Sequence, residues 1–227
     1  MNAAVRLHPA PGATFETLKA GLDIRAGGRI VAALEDAFPS GFPALDQALS
    51  GGFARGTVAT LEGPPSAGRT AVLARMLAEA TRSGLAAVVH DGTLYPPGLE
   101  DAGVLLARMP VVAAGTPLQT ARSADILLRA KTFALVAMPA VPLRATVWSR
   151  LCGLAQKSGT LLLVLALHPS TELGYFASTR VRCAIDRVVW SQHGVQGELS
   201  GYDMHAHVLK HKRAAPGATA QLHIGAA

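Results

Sequence analysis

The stretch Gly63-Pro-Pro-Ser-Ala-Gly-Arg-Thr70 restricts what this chain can fold into more than any other. It fits the pattern of a phosphate-binding loop, G-x-x-x-x-G-K-[ST], with arginine in place of the lysine. Such a loop works only between a strand and a helix, and the flanks supply both. Thr57-Val-Ala-Thr-Leu-Glu62 reads as a strand. From Thr70 to Ser83, apolar residues recur at helical spacing at Leu73, Met76, Leu77 and Ala80, and Gly84 stands where that helix should stop.

A loop of this kind turns backbone N–H groups and the positive end of a helix dipole toward phosphate oxygens. Gly63 and Gly68 allow the close approach, Ser66 lies in the loop, and Thr70 has the hydroxyl that could hold Mg²⁺. Arg69 keeps the positive charge but replaces a compact ammonium with a longer, planar, forked head. Two readings stay open at this point: weak ATP or ADP binding, or a former nucleotide loop kept as a turn. No metal site and no cofactor beyond a weakly held nucleotide is expected.

With 227 residues the chain is long enough for one large domain with a full core. Half of the residues are hydrophobic and 16% are charged, which excludes a disordered chain. Short apolar runs at Ala86–Val89, Val111–Ala114, Phe133–Met138, Leu161–Leu167 and Ile185–Trp190 predict buried strands. Helical patterns at Leu118–Ala130 and Pro142–Lys157 alternate with them. That order predicts an α/β fold with a mostly parallel sheet flanked by helices. Residues 1–37 read as a separate N-terminal segment and 38–227 as the core. Residues up to about 12 have no pattern, and Phe15–Ala37 reads as one or two helices through Phe15, Leu18, Leu22, Ile30, Val31 and Leu34.

The net charge of +6 comes with 16 Arg and only 5 Lys, a balance that suits phosphate contacts. No cluster of cations interleaved with aromatics marks a reading element, so any DNA binding is expected to be weak and non-specific. Cys152 and Cys183 have no metal spacing and fit a reducing, cytoplasmic setting. The N-terminus has no secretory apolar region, and Leu161–Leu167 is far too short to span a bilayer. His205, His207 and His211 lack an evident carboxylate to support a metal.

The flanks of the loop carry a family resemblance. Phe38 to Thr57 contains Gly41, Leu45, Asp46, Ala48, Leu49, Gly51, Gly52 and Gly56 in the order "G–LD–AL–GG–G". That run is similar to the one preceding the phosphate loop of RecA-type recombinases. His207-Val-Leu-Lys-His-Lys-Arg-Ala-Ala-Pro216 resembles the recombinase segment "VxVxKNKxAxP", and Gln221–Ile224 resembles its closing strand. The resemblance covers about Phe38 to Ile224. The wording Leu94-Tyr-Pro-Pro-Gly-Leu99 followed by Gly103-Val104 looks like the ImuA family of SOS-mutagenesis accessory proteins, with SulA-type cell-division inhibitors as more distant relatives.

Set against recombinases, three chemical groups are missing. Arg69 replaces the lysine, no glutamate stands near Gly92 (Asp91 is one position away), and Ala137 and Met138 stand where a Mg²⁺-binding aspartate would end a strand. Phosphoryl transfer depends on electrostatics and positioning, so their joint loss implies no catalytic residue and no ATPase activity. His168 stands near the position of a phosphate-sensing glutamine, though a strand-end histidine bonded to backbone is the simpler reading. Lys210 and Lys212 match lysines that a recombinase offers to its neighbour, or are two solvated charges on an edge strand. Pro169–Thr179, with Tyr175 and Phe176, falls where recombinases keep their first DNA-binding loop. The second, just before Arg180-Val-Arg182, is much shorter than a recombinase needs, and the C-terminal domain of RecA is not expected. The resemblance implies a non-catalytic RecA-like regulator in DNA-damage tolerance. Its partners would be RecA or error-prone polymerase subunits, met through Phe15, Leu18, Leu22, Lys210 or Lys212. The alternatives are a slow DNA-dependent ATPase and a SulA-type inhibitor.

Overall fold

The computed structural model describes residues 37–225 apart from 93, 169, 194, 195, 214 and 215. Phe15, Leu18 and Leu22, with the rest of the expected N-terminal helices, lie outside the described residues. Ala37 already belongs to a strand. In chain order the elements are β1 (Ala37–Phe38), α1 (Pro43–Ala48), β2 (Phe53–Ala54), β3 (Val58–Glu62), α2 (Arg69–Ser83), β4 (Leu85–His90), α3 (Pro96–Asp101) and β5 (Val111–Ala113). There follow α4 (Pro117–Ala130), β6 (Phe133–Pro139), α5 (Ala145–Ser158), β7 (Leu161–Ala166), α6 (Thr171–Phe176), β8 (Thr179–His193), β9 (Gln196–His211) and β10 (Thr219–Gly225).

Eight strands form one sheet in the order β10-β9-β8-β3-β7-β6-β4-β5. From β5 to β8 every pairing is parallel, and β9 and β10 close the sheet antiparallel. Side chains alternate between the two faces of each strand, and in the middle of this sheet both faces are dry. Ala59, Leu61, Val88, Leu135 and Leu163 pack under α2, whose Val72, Leu73, Met76 and Leu77 are buried. Val58, Val89, Val136, Leu162 and Val164 pack under α4 and α5, where Leu128, Trp148 and Leu151 are buried. This is why the central strands read as continuous apolar runs.

Three expectations are corrected. Ile185–Trp190 is not a short buried strand. It lies in the middle of β8, where β3 has already ended its pairing at Arg182, and Ile185, Val188 and Trp190 are exposed. Lys210 is not a solvated charge on an edge strand: β9 lies between β8 and β10, and although β10 leaves it at His207, the Lys210 ammonium is bonded to backbone carbonyls; Lys212 lies beyond the end of β9. The segment Pro169–Thr179 is not an open loop: it contains α6, capped by the Ser170 hydroxyl accepting from the Leu173 N–H at 3.1 Å. Gly84 does end α2, with its N–H bonded to Ala80 O, but in an extended conformation rather than a left-handed one.

Candidate functional site

The loop from Gly63 to Gly68 leaves β3 at the C-terminal edge of the sheet and runs straight into α2. Gly63 has φ +145°, Ser66 +60° and Gly68 +82°, backbone conformations that side chains rarely adopt. Space excludes them as well. A Cβ on Gly63 would stand 2.6 Å from the Cys183 carbonyl oxygen on β8, and one on Gly68 would stand 2.6 Å from Met204 Sδ on β9. The loop is therefore seated directly on the β8–β9 pair. The Gly63 N–H donates to Ala166 O on β7 at 3.2 Å, and the Ala67 N–H to Pro64 O at 3.3 Å.

Pro64 and Pro65 have no N–H to offer. The donors left to an anion are the amides of Ser66, Gly68, Arg69 and Thr70, the last ones belonging to the first turn of α2, which has no intrahelical acceptors for them. Gly68 is the N-cap of α2, with no side-chain cap and no acidic residue in the first turn. The helix end is open, and its dipole is not offset locally. The Arg69 guanidinium makes no hydrogen bond or ion pair with a described residue. Burial holds its pKa below the ordinary arginine value, with the nearby Cys183 acting in the opposite sense. Burial also pushes the Cys183 thiol up to about 12, against the pull of Arg69.

Two cavities open on either side of this turn, and Thr70 and Leu94 line both. One of about 600 Å³ is lined by Arg69, His90, Asp91, Ala137, Met138 and His168 among others. The end of β6 and the residue after it contribute Ala137, Met138, Pro139 and Ala140, so this wall is apolar where a metal-binding site would need carboxylates. The other, of about 750 Å³, is lined by Phe42, Ala74, Tyr95, Leu99, Tyr202 and Ile224 among others. Among the described residues no group of three or more His, Cys, Asp or Glu is placed to hold a metal ion.

Gly63, Ser66, Gly68, Arg69 and Thr70 thus come together as one turn. Lys210 does not join them. Its Nζ donates to the carbonyls of Gly174 at 2.9 Å and Tyr175 at 3.0 Å, which fastens the end of α6 to β9. Burial, with Lys212 and Arg180 nearby, holds its pKa below the ordinary lysine value. Lys212 is exposed, and its backbone N–H bonds Ser178 O. The expectation that the C-terminal histidines lack a carboxylate is also corrected. A bulge in β8 brings Asp186 to 2.6 Å from His205 Nδ1, while His207 Nδ1 meets Thr219 Oγ1 at 2.8 Å.

No protein-family model matches the chain. Curated relatives are RecA proteins. That of Nocardioides sp. is 35% identical over 121 residues, 52% of this chain and 34% of the relative. That of Methylococcus capsulatus is 36% identical over 97 residues, 41% of this chain and 28% of the relative. The chain spans about a third of the length of these relatives. Among solved structures, the crystal structure of the RadB recombinase superposes with a TM-score of 0.65 at 20% identity, covering 82% of this chain and 96% of that one. The fold is that of a RecA-like core.

Sequence reasoning missed one feature of this core. Glu62, the last residue of β3 before the loop, is buried, and Arg180 on β8 clasps it with Nε to Oε1 at 2.7 Å and the second nitrogen to Oε2 at 3.0 Å. The Thr60 hydroxyl donates to the same carboxylate at 2.6 Å. A lone carboxylate inside an apolar strand signals that a cation must come to it, because an unpaired buried charge is costly. Which cation comes depends on the pairing of β3 with β8, where Thr60 stands beside Arg180. The pair anchors the stem of the loop to the strand behind it.

Proposed function

We propose that this RecA-like chain is a non-catalytic regulator of the ImuA kind. It acts in DNA-damage tolerance by binding RecA or an error-prone polymerase complex, limiting recombination and favouring mutagenic synthesis. The observation that supports this reading is the contrast inside the site. The turn that would receive phosphates is kept, with left-handed Gly68 and an open helix end, while the wall beside it is built from Ala137, Met138 and Pro139. Phosphoryl transfer needs a metal carboxylate, a base and a charge placed on the transferred group, and binding a phosphate needs only the turn. A chain that keeps the second and lacks the first is suited to hold a nucleotide weakly or to keep the shape of a subunit without turnover. A protein interface depends on shape and a few buried anchors, so it can outlast the chemistry.

Purified protein is expected to hydrolyse ATP no faster than a Thr70→Ala control, with or without single-stranded DNA. Arg69→Lys alone is expected not to create activity, since no glutamate stands near Gly92 and Ala137 and Met138 occupy the place of the metal-binding aspartate. Added below stoichiometric amounts, the protein is expected to slow strand exchange by RecA. DNA-stimulated turnover at a recombinase rate would sink the regulator reading in favour of a slow ATPase. If strand exchange is unaffected and RecA is not retained in pull-downs, the polymerase arm of the proposal is left as the partner.

A further inference from the structure

The net charge of +6 is not spread evenly over the chain. Between Asp101 and Glu172 the only acidic residue is Asp125, while α4, α5 and their caps carry Arg122, Arg129, Lys131, Arg144, Arg150 and Lys157. Six cations against one carboxylate place a net +5 on this helical layer. All six are exposed. They form no run in the sequence, and the fold gathers them. α4 and α5 connect parallel strands and bury Leu128, Trp148 and Leu151 in one cluster, so they lie on one face of the sheet with their opposite sides turned outward.

Asp125 stands between the two helices and holds both neighbours through Nε, Arg129 at 2.8 Å and Arg150 at 2.6 Å. One carboxylate cannot neutralise two guanidiniums, and N–H donors are left over. Among the described residues, no carboxylate pairs with Arg122, Lys131, Arg144 or Lys157. The helix dipole accounts for part of this set, because Arg129, Lys131 and Lys157 stand in or just after last turns. It does not account for Arg122 and Arg150 in mid-helix, and it opposes Arg144. That residue is the N-cap of α5, beside the positive end of the dipole, with no side-chain cap and no acidic residue in the first turn. The outward side of α5 is also low, presenting Ala145, Thr146, Ser149 and Gly153 between its cations. A glycine inside a helix costs stability relative to alanine, yet a Cβ at Gly153 would meet nothing within 4 Å. Packing within the chain gives no reason for it. Close approach of another molecule's backbone does.

We infer that the α4–α5 face binds the phosphate backbone of duplex DNA without reading its bases. Charge selects a polyanion. At the rise of a helix, the row from Arg144 to Lys157 is about 20 Å long, roughly six base pairs of duplex. A rigid duplex therefore presents phosphates along all of it. The two helices carry one aromatic residue, Trp148, and it is buried, so single-stranded bases have no platform to stack on. An acidic protein would need apolar anchors among the charges. The outward side of α5 has none, and the exposed Leu118 and Ile126 of α4 stand about two turns apart. Such binding is independent of the regulator reading and of the phosphate turn.

The test is fluorescence anisotropy of a labelled duplex of about 20 base pairs, titrated with the full chain from about 50 to about 200 mM salt. Weak binding is expected, losing on the order of a hundredfold in affinity across that range, as for about four neutralised phosphates. Arg144→Gln with Lys157→Gln should weaken binding and flatten its salt dependence by about two units of slope. Arg75→Gln with Arg82→Gln removes the same charge from α2, on the opposite side of the sheet, and should leave affinity within about twofold. Gly153→Leu should raise the melting temperature, because leucine favours the helix, and yet weaken binding severalfold by holding the duplex off. Unchanged circular dichroism shows that the variants fold. No binding at low salt, equal losses in the two double variants, or full binding by Gly153→Leu overturns the inference. So does a single strand preferred by more than about tenfold, which would point to a stacking surface. Binding of a polyglutamate chain in place of the duplex overturns it as well and assigns the face to an acidic protein.

Discussion

The two ends of the β8–β9 pair have similar sequence patterns and opposite surroundings. At the near end, Cys183 and Met204 are fully buried, one carrying the carbonyl behind Gly63 and the other pressing on Gly68. A few residues further on, Val188, Trp190 and Leu199 stand exposed on the face that Met204 occupies. Nothing in the side chains themselves makes the difference. What differs is that α2 covers the first stretch and ends its reach before the second. The near end is therefore scaffold for the loop, and the far end is free surface. Apolar character in a strand shows that a face wants covering, and only the neighbouring elements show whether it is covered.

The sharpest way to test the near end is through the ion pair beneath the loop. Arg180→Ala leaves Glu62 buried without its cation and is expected to cost about 3–5 kcal/mol, read by urea unfolding. Combining it with Glu62→Gln should recover part of that loss. A cost within the scatter of surface substitutions would mean that water reaches Glu62 and that the near end is not sealed.

Next comes the direct contrast of two apolar truncations on one face. Met204→Ala at the near end is expected to cost about 2–5 kcal/mol, since it empties a fully packed site behind Gly68. Leu199→Ala at the far end, measured in dilute solution, is expected to fall within about 0.5 kcal/mol. Equal costs would erase the distinction between scaffold and free surface.

A smaller effect is expected from pH. Burial raises the Cys183 thiol from 9.0 to about 12. Between those values the folded chain keeps a proton that the unfolded chain loses, so folding stability should fall as pH rises through that window. The Cys183→Ala variant should lose this part of the slope. Thiol-alkylating reagents at mildly alkaline pH should leave Cys183 unmodified in the folded chain, because the thiolate is the reactive form. Rapid modification would show that the layer behind the loop opens readily.

Much of this was legible in the chain. The spacing of Gly63, Gly68 and Thr70 between a strand and a helix marked the turn, because that backbone path needs glycine at φ values closed to other residues. The runs Ala86–Val89 and Phe133–Met138 marked central strands, because strands buried on both faces must be apolar throughout. Ile185–Trp190 looked the same and misled. Composition records the wish to be buried, whereas burial there depended on where β3 ends its pairing with β8. The partner of Glu62 was not readable from the chain either, because the pair joins residues 118 positions apart.

The sequence by itself determined the α/β order and the loop, since these depend on local backbone preference and on which residue types are present at all. The tertiary structure alone decided that Arg180 neutralises Glu62, that Lys210 fastens α6, that Asp186 reaches His205, and that the β8–β9 ribbon runs past its neighbours. Each of these depends on strand register and strand length, and both are settled by the packing of distant segments against one another.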